Sequence, residues 1–159
     1  MNASVPARSK QSAELRRGRA FPRGARLLRH SDFEHVYKQG RRHFSGNLTV
    51  FYLARALGAS GRDRTGSGFR LGFTVGRALG GAVERNRMKR RLREAVRMSW
   101  PTQAPDADVV INPKKTVLKV EFEILLNEVR RAFVVIEQKL RNASDIGGQA
   151  RKSTPEERE

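Results

Sequence analysis

The run from Glu84 to Ser99, ERNRMKRRLREAVRMS, fits few places in a folded chain. It carries seven basic residues and two acidic ones. Turned at about 100° per residue, Met88, Leu92, Ala95, Val96 and Ser99 fall on one side. That is an apolar stripe of ordinary width for a helix lying on a core. Arg85, Lys89, Arg93 and Arg97 form an i, i+4 ladder beside it, with Asn86 and Arg90 adjacent. Like charges so spaced stand roughly 5–6 Å apart and weaken an isolated helix. A polyanion along the arc removes that repulsion. A solvated face normally mixes signs, whereas here the arginines cluster, so the pattern points to nucleic acid. Gly76 and Gly80-Gly81 precede the helix. They suit backbone N–H groups closing on phosphate at a helix N-terminus, and equally a plain turn.

The whole chain agrees with this segment. Its formal net charge of +17 and pI near 11.5 favour a polyanionic partner. An anionic membrane surface would share that preference. However, the longest clear apolar run, Ala132 to Ile136, falls far short of the ~20 residues a spanning helix needs. There is no cysteine, which excludes disulfides and thiolate metal sites. The first residues lack the apolar core of a secretory signal. They have the Arg, Ser and Ala of a transit peptide, but Pro6, Glu14 and early glycines argue against one.

Taken in order, 1–26 has seven basic residues, one acid and almost no large apolar side chain. It is expected to be a disordered basic arm. Ser31 is the expected N-cap of a first helix, with Glu34 at the capping-box position, Phe33, Val36 and Tyr37 on one face, and Gly40 as its end. Asn47–Arg55 and Phe69–Gly76 are β-rich, and Ala56–Gly68 between them reads as a hairpin loop. A further short strand is expected near Arg41–Phe44. Ala107–Asn112 (ADVVIN) is a short buried strand stopping at Pro113. Glu121–Arg141 is a helix with Phe122, Leu125, Leu126, Val129, Phe133 and Ile136 as its core stripe. The expected tail, 142–159, is polar and disordered. The result is one α+β domain over 27–141, a single small sheet with packed helices.

The segment from Gly72 to Glu94, GFTVGRALGGAVERNRMKRRLRE, resembles the signature of the bacterial ribonuclease P protein subunit. There a strand and a lysine-rich turn lead into a helix opening Ala-Val-x-Arg-Asn-Arg-x-Lys-Arg-x-x-Arg. Ala82, Val83, Arg85, Asn86, Arg87, Lys89, Arg90 and Arg93 match it in identity and spacing. Where the family often has two lysines in the turn, this chain has Arg77-Ala78. After the later strand, Asn112-Pro113-Lys114-Lys115 keeps the family's charge but alters its spacing. The resemblance spans about Leu27 to Leu140. It implies the order α-β-β-β-α-β-α with a left-handed crossover through the basic helix. It also implies a protein that binds the catalytic RNA and the 5′ leader of precursor tRNA, one protein per RNA, in a bacterial cytoplasm. Arg85, Asn86, Arg87, Lys89, Arg90, Arg93 and Arg97 are then the expected RNA-subunit contacts, and Phe33, Tyr37, Phe51 and Arg77 the expected leader contacts. Phe51 and Tyr52 compete for one aromatic place; strand alternation sends them to opposite faces, and Phe51 is favoured. The active site and its Mg2+ are expected to lie in the RNA.

The protein's own side chains give little sign of catalysis. His30, His35 and His43 lack metal-ligand spacing, and Asp106 and Asp108 flank a strand start as turn and cap residues. Two other readings share the composition. A structural RNA-binding protein matches the charge, but the Arg85–Arg93 motif disfavours it. A DNA-binding regulator would want a short helix and tight turn before the basic helix, and a strand stands there instead.

Overall fold

The computed structural model describes residues 25–55, 68–101 and 104–150, with side chains up to 143. Most of the expected arm, the 56–67 loop and the end of the tail lie outside them. In chain order the elements are α1 (His30–Gln39), β1 (Arg41–Phe44), β2 (Leu48–Ala54), β3 (Phe69–Phe73), α2 (Ala82–Ser99), β4 (Ala107–Pro113) and α3 (Phe122–Ala150). This is the expected order, including the short β1.

The four strands form one mixed sheet in the order β1-β2-β4-β3. β1–β2 and β2–β4 are antiparallel, and β3–β4 is parallel. A parallel pair cannot close through a tight turn, and α2 makes the crossover. Consequently β2 and β3 are not the two arms of a hairpin, because β4 lies between them. The reason is readable in ADVVIN: Ala107 through Ile111 are all buried, so β4 needs cover on both faces.

Alternation splits the sheet into two faces. Leu48, Val50 and Tyr52 of β2, Val109 and Ile111 of β4, and Phe69 and Leu71 of β3 join the main core. The other side of that core is Met88, Leu92, Ala95 and Val96 of α2 with Leu125, Val129, Phe133 and Ile136 of α3. Each Val, Leu, Ile, Phe or Met side chain among them, taken fully from water, contributes about 1.5–3 kcal/mol. Among the described residues the opposite face is covered by α1 and the segment just before it: Val36, Val110 and Leu27 are buried, with Phe33, Tyr37, Phe51 and Leu53 packed around them.

Three expectations at helix ends are corrected. α1 begins at His30 with Arg29 as N-cap and no side-chain cap; Ser31 lies inside the first turn. The Arg29 carbonyl accepts from the Asp32 and Phe33 N–H groups, and His30 meets Glu34 at 3.3 Å, so the turn closes before Ser31 can cap it. Gly40 ends α1 without a left-handed conformation. It is glycine because a Cβ would stand 2.8 Å from the Tyr52 carbonyl oxygen. α3 runs on to Ala150 rather than ending at Arg141. Extending a formed helix costs far less than starting one, and no proline interrupts 142–150. The folded part also starts slightly early, since Arg26 bridges Leu71 beside β3.

Candidate nucleic-acid interface

α2 is dry where its periodicity says it should be. Met88, Leu92, Ala95 and Val96 are buried, and Ser99 is half-buried at the end of the stripe. Its opening is set by glycine. Gly80 has φ 142°, which side chains rarely allow, while Gly76 and Gly81 keep ordinary angles in open space. The Glu84 carboxyl folds back on Gly80, so close that a Cβ there would stand 3.1 Å from Glu84 Cδ. An acid in the first turn already complements the helix dipole. The tip of this helix is thus already occupied by a carboxylate, and its cations stand along the arc.

The arc divides by position. Lys89 and Arg93 help line a groove of about 240 Å³ together with Leu27, Phe33, Gly72 and Phe73. Asn86, Arg87 and Arg90 surround a shallow depression with Val83, an aliphatic side chain left 82% exposed among cations. Arg85 is half-buried. Arg97 closes the ladder, turned inward and paired with Glu94. Arg91, off the arc, donates to the Val117 and Val120 carbonyls and ties α2 to the turn after β4. It is a structural arginine inside a cationic run.

The α1 face carries the aromatic group. Tyr37 meets Phe51 edge-on, with ring centroids 4.8 Å apart. The Tyr37 hydroxyl lies 2.8 Å from Asn112 Oδ1 and 2.6 Å from Thr74 Oγ1. A phenol has one proton, so it donates to the amide oxygen and accepts from threonine. The ring is thus fixed in orientation but still half exposed. Phe33 lies against Gly72 of β3, where a Cβ would come within 2.6 Å of its ring. Phe51 points to this face and Tyr52 into the core, as alternation requires. Arg77 stands exposed in the turn Arg77–Leu79, apart from these rings.

Sequence reasoning missed two features here. Arg42 places its guanidinium 5.3 Å from the Phe51 centroid, a cation–π contact visible only once β1 is registered against β2. Arg70 forks onto Asp108, Nε to Oδ1 at 2.7 Å and Nη2 to Oδ2 at 2.8 Å. Arg55 stands 3.8 Å from the same carboxylate, and burial pulls its guanidinium below its ordinary pKa against the opposing pull of Asp108. Asp106 accepts from the Gly68 N–H at 2.6 Å, as its turn role requires. Asp108 is instead a buried pin between β3 and β4. Among the described residues no three His, Cys, Asp or Glu side chains converge as a metal site. No helix among them is long and apolar enough to cross a membrane.

Known proteins share both sequence and fold. The family model described as ribonuclease P matches residues 21–137. The ribonuclease P protein component of Symbiobacterium thermophilum is 37% identical over 108 residues, covering 68% of this chain and 87% of that protein. That of Acidothermus cellulolyticus is 48% identical over 76 residues, 48% of this chain and 58% of the relative. The solved ribonuclease P protein of Thermotoga maritima superposes with a TM-score of 0.53 at 28% identity, over 67% of this chain and 96% of its own. The Staphylococcus aureus protein, at 21% identity and a TM-score of 0.55 over 70% and 94%, shares the fold. The chain therefore belongs to the ribonuclease P protein family, the RNA-partnered protein components of the endoribonuclease that processes the 5′ end of tRNA.

Proposed function

We propose that this protein joins two RNA surfaces, with α2 against the ribonuclease P RNA and the α1 face against the 5′ leader of precursor tRNA. The observation that carries this reading is the groove in which Lys89 and Arg93 of α2 meet Phe33 of α1. It makes one continuous path from cations to aromatic rings. Arg85, Asn86, Arg87, Arg90 and Arg97 extend the cationic end, with Arg97 acting through Glu94 as well as on phosphate. Tyr37 and Phe51 extend the aromatic end, and Arg77 serves the leader backbone beyond Thr74. Stacking an unpaired base on such rings is worth about 1–3 kcal/mol. Phosphate contacts along α2 fix register without reading sequence.

Two RNAs repel each other, most strongly when magnesium is scarce. Each phosphate the protein neutralises releases counterions and lowers that repulsion. Magnesium, held mainly by the RNA, supplies the hydrolytic chemistry. The protein's residues bind, orient and screen. One protein per RNA suffices for both surfaces, and the bacterial cytoplasm is where the substrate is made.

The test compares holoenzyme affinity for precursor tRNA and for the same tRNA lacking its leader. Phe51→Leu and Tyr37→Ala are expected to weaken precursor binding about tenfold, in keeping with lost stacking, and to leave leaderless tRNA unchanged. Equal losses on both substrates would overturn the leader assignment.

A further inference from the structure

A second group of cations occupies the sheet edge farthest from α2. β1 is an edge strand, and its register sets Arg41 opposite Tyr52 and Arg42 opposite Phe51. Alternation sends Arg41 with Tyr52 to the α3 face, away from the leader cleft. A groove of about 330 Å³ opens there, lined by Arg41, Arg42, Tyr52, Lys139, Asn142 and Ala143. Neither Arg41 nor Lys139 has a carboxylate partner among the described residues, and Glu137 on the same stretch of α3 is engaged with Arg141 at 3.9 Å. The positive field reaches His43, further along β1. Its imidazole is held below the ordinary histidine value by burial first, then by Lys139 and Arg131.

Tyr52 is the member that a core alone does not explain. It is 1% exposed and packs in the main core with Leu48 and Val50. Phenylalanine would fill that volume equally well. The Tyr52 hydroxyl has no hydrogen-bond partner among the described residues, and a buried hydroxyl left so loses its hydration without return. Its residue lines the groove beside Arg41 and Lys139, so its hydroxyl lies within the sheet face that those cations border.

We propose that this groove is a phosphate-binding site, in which Arg41 and Lys139 supply the charge, Asn142 borders the ligand, and the Tyr52 hydroxyl donates to a phosphate oxygen. The guanidinium offers a fork and the ammonium a point charge, and the phenol adds one directed donor. The site lies three strand spacings from β3, about 14 Å across the sheet, so it takes a different phosphate from those along α2. It rests on the protein's having an RNA partner but not on the leader assignment, because Phe33, Tyr37 and Phe51 face the other way. The phosphate comes from an RNA backbone or from free inorganic phosphate.

The full chain is tested with Tyr52→Phe and with Arg41→Gln plus Lys139→Gln. Binding of ribonuclease P RNA is measured against salt, and inorganic phosphate is titrated while the amide resonances of Arg41, Tyr52 and Lys139 are followed. With RNA as the source, the double variant binds about tenfold more weakly and the salt slope falls by about one. Tyr52→Phe then loses about threefold, with a melting temperature no lower than the parent's. With free phosphate as the source, RNA affinity is unchanged, and phosphate saturably shifts the three resonances in the parent but not in Tyr52→Phe. If Tyr52→Phe alters neither response, the hydroxyl is merely hydrated and the site is overturned, even where the double variant weakens RNA binding.

Discussion

A single hydrogen atom at Gly72 decides how deep the aromatic cleft is. Phe33 lies where a Cβ would be, 2.6 Å from its ring, and Leu27 Cβ would stand 3.1 Å away. Neither neighbour can retreat cheaply, since Leu27 is buried and Phe33 packs beside Val36 and Val110. Gly72→Ala is expected to lift Phe33 and cost about 1–3 kcal/mol by overpacking, read as a lower melting temperature. Precursor tRNA affinity should fall with it, while RNA-subunit affinity holds. Tyr37 shows the same economy of placement. Its hydroxyl spends its one proton on Asn112 and accepts from Thr74, which joins α1 to β4 and to the segment after β3. At residue scale these contacts were not legible, because each crosses tens of residues and depends on strand order.

At the scale of elements, α2 is the clearest case of sequence dictating structure. Its dry stripe was readable from a 3.6-residue period, and Met88, Leu92, Ala95 and Val96 are buried as that period requires. What remains on its surface is charge. Arg90→Ala with Arg93→Ala is expected to weaken RNA-subunit binding and lower its salt slope by about two, one per lost phosphate contact; an unchanged slope in salt-titrated binding would remove these residues from the interface. The burial of β4 is legible in its continuous apolar run, but such a run does not say which strands it lies between, so β2 and β3 read as a hairpin although β4 separates them. The capping signal at Ser31 was overridden by a turn closing earlier on Arg29. The polar composition of 142–150 hid a continuation of α3, since propagation asks only that nothing break the helix. The Arg70–Asp108 pin was hidden for another reason: only the parallel register brings those two residues opposite each other.

Across the whole molecule, charge and shape are distributed by the sheet. One edge carries α2 and its arginines, one face carries the rings, and the other edge carries Arg41 and Lys139. An excess of +17 opposes compactness through self-repulsion, which bound anions relieve. His43 is held below its ordinary value first by burial and then by that field, through Lys139 and Arg131. Its folded-state pKa lies below 6.5, so the unfolded chain takes up a proton near pH 6.5 that the folded chain refuses until lower pH. Its contribution is full above about pH 6.5 and is lost as pH falls through the folded value. In thermal melts from pH 7 downward, His43→Gln should flatten the acid loss of stability. In its proposed function this protein lets one RNA accept another when magnesium cannot screen them. The most direct measurement is cleavage of precursor tRNA by a bacterial ribonuclease P RNA at low magnesium, with and without the chain. The expected result is that the chain restores 5′ cleavage and that the chain alone cuts nothing. Tight binding to the RNA with no rescue of cleavage would contradict it.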